Sequence, residues 1–481
     1  MTNPVFVVVG HVNRGKSSIV STLAADDSVR IDSAPGTTVH CREYPAVVAG
    51  QRLYTLIDTP GFERPRQALA WLQEHESGTH QRADVVERFV RAHAGGDHFR
   101  QECELLRPII DGAAILYVVD GSKPPSPKDE AEMEILRWTA RPRLAMINLI
   151  DKPADGAADH TSQWRQVLDQ YFNLVRVFDA HEAEFGDRLR LLRTLREMDG
   201  QFVAPLTKAI DALVEDRHFA LRESAEAVAD MLVDMLSLVE EKRLPRNATS
   251  ATDADRTALA ERYFDTLRRR ERRCHRQIQE IYLHRRLEIA EPELSAVGDD
   301  LFAEATWIRF GLNRTQLVAA GATTGGAAGL AIDAAVAGHS FLLGAVIGTV
   351  VGGALGWYGA WQLPSAKVRG IPLGGRLLKI GPMNSANFPW IVLDRALAVT
   401  DAVARRSHAR RDAVSLPDAE GRQGIVSQLP RDVRAKIEAC FARLRKSQSA
   451  AELDDMRGEL ADVIEKILAQ RHPVELDTDR R

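Results

Sequence analysis

Residues 10–17 carry two glycines, a lysine and a serine in the spacing of a loop that wraps a phosphate group. The loop follows an apolar run and precedes a helical run, so backbone N–H groups and the positive end of a helix face the phosphate. The Lys16 ammonium reaches the outer phosphates, and the Ser17 hydroxyl is a ligand for magnesium. The residues predicted to contact a nucleoside phosphate here are Gly10, Asn13, Arg14, Gly15, Lys16, Ser17 and Ser18.

A second group of residues addresses the terminal phosphate and its cation. Asp58 follows another apolar run, where a carboxylate holds magnesium through water, and the Gly61 N–H senses the γ-phosphate. Thr38 lies in a loop rich in Pro, Gly and Thr, from which its hydroxyl completes the magnesium shell only when the γ-phosphate is present. We therefore predict Ser17, Thr38 and Asp58 as magnesium ligands and Lys16, Thr38 and Gly61 as catalytic residues.

Residues after two later apolar runs indicate a guanine base. Asn148 supplies an amide that holds loops together. Asp151 supplies a carboxylate that accepts hydrogen bonds from guanine N1–H and from the 2-amino group, a pair of donors that adenine lacks. The N–H of Ala180 completes the contact by donating to guanine O6. These three residues predict a site that binds GTP or GDP.

The apolar runs that precede these residues are the strands of a predicted α/β domain at residues 1–200. Their alternation with helical stretches is typical of a mostly parallel sheet with helices on both faces. Residues 62–108 form a polar insertion, in which we predict helices and a loop at Gly95-Gly96. The strand-like runs occupy residues 5–9, 53–57, 113–119, 144–147 and 174–178.

The rest of the chain is predicted to be mainly α-helical. Residues 201–314 place apolar side chains four apart, with a polar linker at residues 245–255. Residues 315–362 are rich in Gly and Ala, and residues 363–481 follow as a final unit. In that unit we expect a small hairpin over residues 367–380, around a Gly-Gly pair, and then amphipathic helices.

The composition is that of a folded protein with more than one domain. The 481 residues are 45% hydrophobic and 27% charged, and about one domain per 150 residues gives two or three units. The net charge of −4 gives no global attraction to nucleic acid or anionic lipid. The four cysteines lack Cys-x-x-Cys spacing, so we expect reduced thiols. No targeting segment precedes the first apolar run, which predicts a cytoplasmic protein.

Residues 315–362 predict a helical hairpin at the membrane. Four glycines spaced four apart, from Gly344 to Gly356, form one smooth stripe along which a second helix approaches closely. Residues 340–361 carry no charge and are long enough to cross about 30 Å of hydrocarbon. Basic residues flank the pair of helices, which places the rest of the chain at the inner face of the cell membrane. A membrane or a membrane protein is then the predicted partner.

A soluble alternative stays open for this segment. Asp333 is acidic and the first half of the segment is only mildly apolar, as in a hairpin that packs inside a helical bundle. Arginine clusters at residues 268–276 and 405–411 fit the phosphates of RNA or of lipids, but interspersed glutamates favour solvated helix faces. RNA is therefore the weaker of the predicted partners.

The motifs together resemble those of Ras-like GTPases, and within them the bacterial Era and TrmE branch. Members of this branch share G-x-x-N-x-G-K-S, a Thr-Thr pair and D-T-x-G, found here at residues 10–17, 37–38 and 58–61. The resemblance covers the predicted α/β domain and implies a GTPase that uses Mg²⁺. It makes Thr38 the switch threonine and Asp151 the guanine-reading carboxylate. A G domain followed by a Gly-Ala hairpin also resembles a group of GTPases with a C-terminal domain of unknown function.

The sequence departs from this branch in ways that modify the predicted activity. Leu149 replaces a lysine whose stem packs on the base, and His181 replaces another lysine after Ala180. Phe62 occupies the place of the glutamine that positions water in Ras-like enzymes, so slow hydrolysis is expected. Asn13 matches an asparagine that binds potassium in this branch, although a loop-stabilising amide explains it equally well. Potassium, a dimer of G domains or a partner would then stimulate hydrolysis.

These features predict a membrane-associated molecular switch with slow, magnesium-dependent GTP hydrolysis. The alternative is a soluble GTPase that acts on RNA or on a protein assembly. A third alternative is a module that binds GTP without useful hydrolysis.

Overall fold

The computed structural model describes most, but not all, of the chain. Asn13, Thr38, Asp151 and the predicted hairpin at residues 315–362 lie outside the described residues. Within the described part, none of the helices combines the length and apolarity needed to cross a membrane. The described residues are 3–11, 14–29, 31, 40–76, 78, 81–149, 160–245, 251–285, 287, 289, 367–368, 371–372, 377–383, 388–413, 424–446 and 449–474.

A six-stranded sheet forms the centre of the N-terminal half, in the order β2-β3-β1-β4-β5-β6. Strand β2 runs antiparallel to β3, whereas the other neighbours pair in parallel. The register pairs Val8 with Asp58 and Asp120 with Asn148, so the carboxyl ends of four strands meet at one edge. The strands are β1 (Val5–Val9), β2 (Arg42–Val48), β3 (Gln51–Asp58), β4 (Ala114–Asp120), β5 (Arg143–Asn148) and β6 (Val175–Val177).

The apolar runs in the sequence predicted the strands of this sheet except for the edge strand β2. Most of its side chains are partly or fully exposed, and it contains Pro45. An edge strand tolerates both features because one side of its backbone faces solvent. The turn to β3 places Ala49 and Gly50 at positive φ, the backbone geometry of a two-residue hairpin.

Helices cover both faces of this sheet. One face holds α1 (Lys16–Ala24), α7 (Phe185–Arg196) and the first part of α8 (Gly200–Leu236), packed around strand residues such as Phe6 and Leu56. The other face holds the three insertion helices together with α5 and α6. The predicted α/β fold class is therefore confirmed. The helices of this second face are α2 (Pro65–Glu74), α3 (Arg82–His93), α4 (Arg100–Ile110), α5 (Pro127–Trp138) and α6 (Thr161–Leu168).

Helix α8 belongs to both halves of the chain. It is 37 residues long and starts where the Asp199 side chain accepts a hydrogen bond from the Gln201 N–H. Phe202 and Leu206 pack into the core of the sheet. Val228 and Leu232, farther along, pack into the core of the C-terminal half. A continuous helix that is buried in two cores connects the halves without a flexible linker.

The C-terminal half is mainly α-helical, as predicted for its fold class. One large apolar core joins the end of α8 to the long helices that follow it. Its elements are β7 (Glu240–Arg243), α9 (Asp253–Ile281), β8 (Lys367–Val368), β9 (Ile371–Pro372), β10 (Leu377–Ile380), α10 (Phe388–Arg405), α11 (Ile425–Gln428), α12 (Arg431–Leu444) and α13 (Ala450–Arg471).

The strands of this half pair differently from the single hairpin expected over residues 367–380. Strand β8 pairs with β9, whereas β10 pairs with β7, which precedes α9 in the chain. Leu378 and Ile380 of β10 alternate toward the core and are buried. The four residues of β7 are all charged, so their sequence carries no apolar strand pattern that would reveal this partner.

Candidate nucleotide-binding site

The loop between β1 and α1 has a backbone that requires glycine. Gly10 has a φ of 150°, and a Cβ atom there would lie 2.3 Å from the carbonyl oxygen of Val118 on β4. Gly15 has a φ of 80° and is the residue that precedes the first turn of α1. Left-handed backbone at such positions costs little only for glycine. The loop can therefore wrap closely around a phosphate at the end of the helix.

Lys16 is held inside this loop. Its ammonium donates hydrogen bonds to the carbonyl oxygens of Gly10 and His11, both at 3.0 Å. The side chain is 8% exposed. Burial lowers the pKa of Lys16, and the nearby Asp58 carboxylate opposes that shift. The cation is thus fixed next to the backbone amides that would surround a phosphate group.

Ser17 and Asp58 meet where β1 and β3 end. The Ser17 hydroxyl donates to Asp58 Oδ2 at 2.8 Å. Thr59, the next residue, donates from its hydroxyl to the carbonyl oxygen of Val8 at 2.7 Å, which fixes the strand end. A hydroxyl beside a carboxylate is the kind of oxygen donor set that magnesium takes. These two predicted ligands fit the ion, while the third, Thr38, lies outside the described residues.

The Arg14 side chain lies among acidic residues that the sequence did not single out. Its guanidinium is 3.9 Å from Asp120 and 3.6 Å from Asp129, and it lies over the ring of Trp164. Asp129 also accepts hydrogen bonds from the N–H and hydroxyl of Ser126 at the start of α5. The Ser-x-x-Asp spacing at the start of this helix was the available sequence signal. Arg14 therefore anchors the phosphate loop to α5.

Glu132, one turn farther along α5, is a buried acid. The Tyr117 hydroxyl donates to Glu132 Oε2 at 3.0 Å, and the residue is 0% exposed. Burial, and after it the charge of Asp129, raises the pKa of Glu132 to about 8. Because the pKa of an unfolded glutamate is about 4.3, the folded state holds this proton more strongly. Folding stability from this group is present below about pH 4 and is lost as the pH rises toward 8.

Replacement of Glu132 by glutamine removes this pH dependence. Glu132→Gln keeps an acceptor for the Tyr117 hydroxyl. Between pH 5 and pH 9, we expect the free energy of unfolding of the variant to rise by about 2–4 kcal/mol relative to that of the wild type. Urea unfolding of both proteins at the two pH values measures this difference in the free energy of unfolding. Glu130→Gln, on the exposed side of the same helix, is the matched control. A difference between the two proteins that is the same at both pH values contradicts a raised pKa for Glu132.

Asn148 connects the two loops that were predicted to surround the base. Its side-chain amide donates to the Arg14 carbonyl oxygen at 3.3 Å, and its Oδ1 accepts from the Ala180 N–H at 3.1 Å. The Ala180 N–H, predicted to read guanine O6, is thus directed at Asn148 in this structure. Asn148 is fully buried, which makes these bonds insensitive to competition from water.

The segment after Asp58 is fixed by the insertion. Phe62 is 1% exposed and belongs to the core that also contains Leu72 and Phe89 of the insertion. Glu102 of α4, which is 0% exposed, accepts hydrogen bonds from the backbone N–H groups of residues 63 and 64 at 2.9 and 2.6 Å. One acidic residue among several in a polar insertion carried no sequence signal for this contact.

The same helix also contacts His40 and Cys41, which follow Thr38 in the sequence. Glu104 Oε1 accepts from the Cys41 N–H at 3.1 Å, and His40 lies 3.8 Å from the same oxygen. Helix α4 therefore contacts both segments that flank the predicted γ-phosphate position. Neither glutamate was identified from the sequence.

Comparisons with known proteins agree with this site. Residues 5–149 match the family model described as 50S ribosome-binding GTPase. GTPase Der of Prochlorococcus marinus (strain MIT 9313) is 24% identical over 210 residues, which are 44% of this chain and 40% of Der. GTPase Der of Streptomyces coelicolor is 27% identical over 199 residues, which are 41% of this chain and 36% of that protein. The chain thus spans well under half the length of these relatives.

Structural similarity is weaker. A solved structure of Aquifex aeolicus Era bound to GDP·AlF₄⁻ is 19% identical, with a TM-score of 0.27, and covers 51% of this chain and 73% of Era. A TM-score this low supports no inference about activity.

The fold and the phosphate loop, together with the family match over residues 5–149, define the N-terminal half as a P-loop GTPase domain that is similar to GTPase Der. A second family model, described as domain of unknown function DUF3482, matches residues 165–469. Because this match covers more than half of the chain, the chain belongs to the DUF3482 family. The match begins in α6, so the family model includes the last strand of the sheet as well as the helical half.

Proposed function

We propose that the chain binds guanine nucleotides with Mg²⁺ and hydrolyses GTP slowly. The observation that carries this proposal is the meeting of the Lys16 ammonium with the Ser17–Asp58 pair at the carboxyl ends of β1 and β3. A cation, a hydroxyl and a carboxylate in this arrangement suit a triphosphate with its metal ion. Nucleotide affinity, hydrolysis rate and their dependence on Lys16 test it, as set out in the Discussion.

Slow hydrolysis is proposed because the residue after Gly61 brings no polar group to the reaction. The Phe62 ring packs into the insertion core, where it cannot orient a water molecule. Stimulation would then come from potassium at Asn13, from a dimer of G domains or from a partner.

The rate of GTP turnover in potassium chloride is expected to exceed the rate in sodium chloride. Identical rates would contradict the potassium proposal.

We place this activity at the inner face of the cell membrane, through residues 315–362. Support comes from the sequence of that segment, with its glycine stripe and its uncharged stretch at residues 340–361. The cellular role that we propose for the chain is that of a membrane-associated molecular switch. In the sequence, the segment lies between α9 and β8, which both belong to the C-terminal half.

Fractionation tests the membrane proposal. The full chain and a version without residues 315–362 are expressed, and membranes are washed at high salt. Salt screens attraction beyond about 10 Å at 0.1 M, so a chain held only by arginines is released. We expect the full chain to stay with the membranes and the deleted chain to be released. A full chain that stays in solution without detergent contradicts the proposal.

The second candidate is a soluble GTPase that acts on RNA or a protein assembly. Its motivation is the arginine-rich face of α9 together with the Era resemblance. Several of these arginines are already engaged within the protein. Arg268 pairs with Asp265 at 2.9 Å, Arg269 donates to Thr266 Oγ1 at 2.8 Å, and Arg270 donates to the Asp234 carbonyl oxygen. Engaged guanidinium groups release fewer counterions when a polyanion binds. This observation weighs against RNA binding by the arginines of α9.

A further inference from the structure

A short segment of the C-terminal half contacts the loop that carries Ala180. Residues 406–412 follow α10, and Ser407, His408 and Ala409 are buried. The Ser407 hydroxyl donates to the carbonyl oxygen of Ala180 and lies 2.9 Å from Thr22 Oγ1. The sequence assigns the Ala180 N–H to guanine O6, and in this structure that N–H donates to Asn148 Oδ1. The C-terminal half therefore touches the predicted guanine loop itself.

Both backbone groups of Ala180 are hydrogen-bonded. Its N–H donates to Asn148, and its carbonyl oxygen accepts from Thr22 Oγ1 at 2.8 Å as well as from Ser407. Asn148 and Thr22 belong to the G domain, and Thr22 lies on the helix that begins in the phosphate loop. Ser407 comes from the other half of the chain. Because Ala180 is 0% exposed, these partners rather than water set the position of its peptide groups.

Segment 406–412 is itself anchored on α1. The His408 carbonyl oxygen accepts from the Ser21 hydroxyl at 2.9 Å. The Arg411 guanidinium donates to Ser21 Oγ at 3.3 Å and to the Val29 carbonyl oxygen at 3.1 Å. The Ala409 N–H donates to Ser407 Oγ at 3.2 Å, which orients that hydroxyl toward Ala180. The segment thus joins the helix of the phosphate loop to the loop for the base.

We propose that Ser407 is a positioning residue for guanine, through which the C-terminal half sets the affinity of the G domain for guanine nucleotides. The proposal rests on the proposed GTP binding and adds a specific coupling to it. Leu149 supplies no lysine stem to pack on the base, so recognition depends more strongly on the loop of Ala180. By linkage, a nucleotide that orders this loop strengthens docking of segment 406–412 by the same factor.

Ser407→Ala in the full chain tests the positioning role. We expect the affinities for GDP and GTP to fall by about tenfold, because the buried Ala180 carbonyl keeps only the Thr22 donor. The affinity for ADP is expected to stay within about twofold, since adenine has no O6 for this loop to recognise. The ratio of GDP to ADP affinity therefore falls, which a general loss of structure would not produce.

Two further variants serve as controls. Ser407→Thr keeps the hydroxyl and is expected to restore the wild-type ratio. Ser237→Ala removes a hydroxyl that is bonded to the Val233 carbonyl oxygen in α8, and it should leave the ratio unchanged. An unchanged GDP affinity in folded Ser407→Ala, or equal losses for GDP and ADP, contradicts the proposal.

Hydrogen exchange of the wild-type chain gives a second measurement in case Ser407→Ala fails to fold. The Ala409 amide is expected to exchange more slowly when GDP is bound, because docking of its segment is coupled to the base loop. An exchange rate that GDP does not change contradicts the coupling. A wild-type chain that binds no guanine nucleotide overturns the proposed function instead, and this is seen before any variant is made.

Discussion

Lys16→Ala is expected to lower the affinity for GTP by roughly a hundredfold or more, because the outer phosphates lose a buried cation. The ammonium that is removed donates to the carbonyl oxygens of Gly10 and His11, inside the phosphate loop. Calorimetric titration of the nucleotide-free chain measures the loss. Hydrolysis should fall with binding, since the same cation stabilises charge on the transferred phosphoryl group.

The fold is expected to survive this substitution. Burial lowers the pKa of Lys16, so the nucleotide-free protein already bears a desolvation cost that alanine removes. The thermal midpoint without nucleotide should change little, whereas the rise in midpoint on adding GTP should disappear. Lys208→Ala, at an exposed position on α8, is the matched control and should bind GTP normally. Equal affinities in Lys16→Ala and wild type would contradict the phosphate assignment.

Phe62→Gln is the second change with a large expected effect, and that effect is on stability. The phenyl ring is 1% exposed in the insertion core, so its loss and the burial of an amide should lower the free energy of unfolding by about 3–5 kcal/mol. Although glutamine is the residue that positions water in Ras-like enzymes, turnover should not rise, since this side chain packs into the core. Urea unfolding and a steady-state phosphate-release assay measure the two outcomes.

Phe219→Gln provides the comparison for Phe62. Phe219 is 63% exposed on α8, so its replacement should change the free energy of unfolding by less than about 0.5 kcal/mol. A faster turnover in Phe62→Gln, together with wild-type stability, would mean that the side chain is free to reach the nucleotide. That result would contradict the packing of the segment after Asp58 against the insertion.

The parts of the site that the sequence predicted are those with local determinants. The spacing of residues 10–17 fixes a strand, a glycine-rich turn and a helix within one short stretch, and the structure has that order. Asp58 and Asn148 follow buried apolar strands, and the carboxyl ends of parallel strands necessarily share one edge of a sheet. The α/β class and the convergence of these residues could therefore be inferred from pattern alone.

The parts that the sequence did not predict depend on contacts between residues far apart in the chain. Glu102 holds the backbone after Gly61, and Ser407 holds Ala180, yet each looks like an ordinary polar residue on a helix or in a loop. Only the packing of α4 against the sheet, and of the C-terminal half against α1, makes them buried partners. The pairing of β10 with β7 was missed for the same reason, because a fully charged strand has no apolar pattern.

The most direct test of the central claim is a calorimetric comparison of GTP and ATP binding to the nucleotide-free full chain with magnesium. The phosphate loop does not distinguish the two nucleotides, so any difference reports the proposed base site at Asn148 and the loops that it connects. We predict that GTP binds at least about tenfold more tightly than ATP. ATP affinity equal to or greater than that for GTP would contradict the guanine assignment.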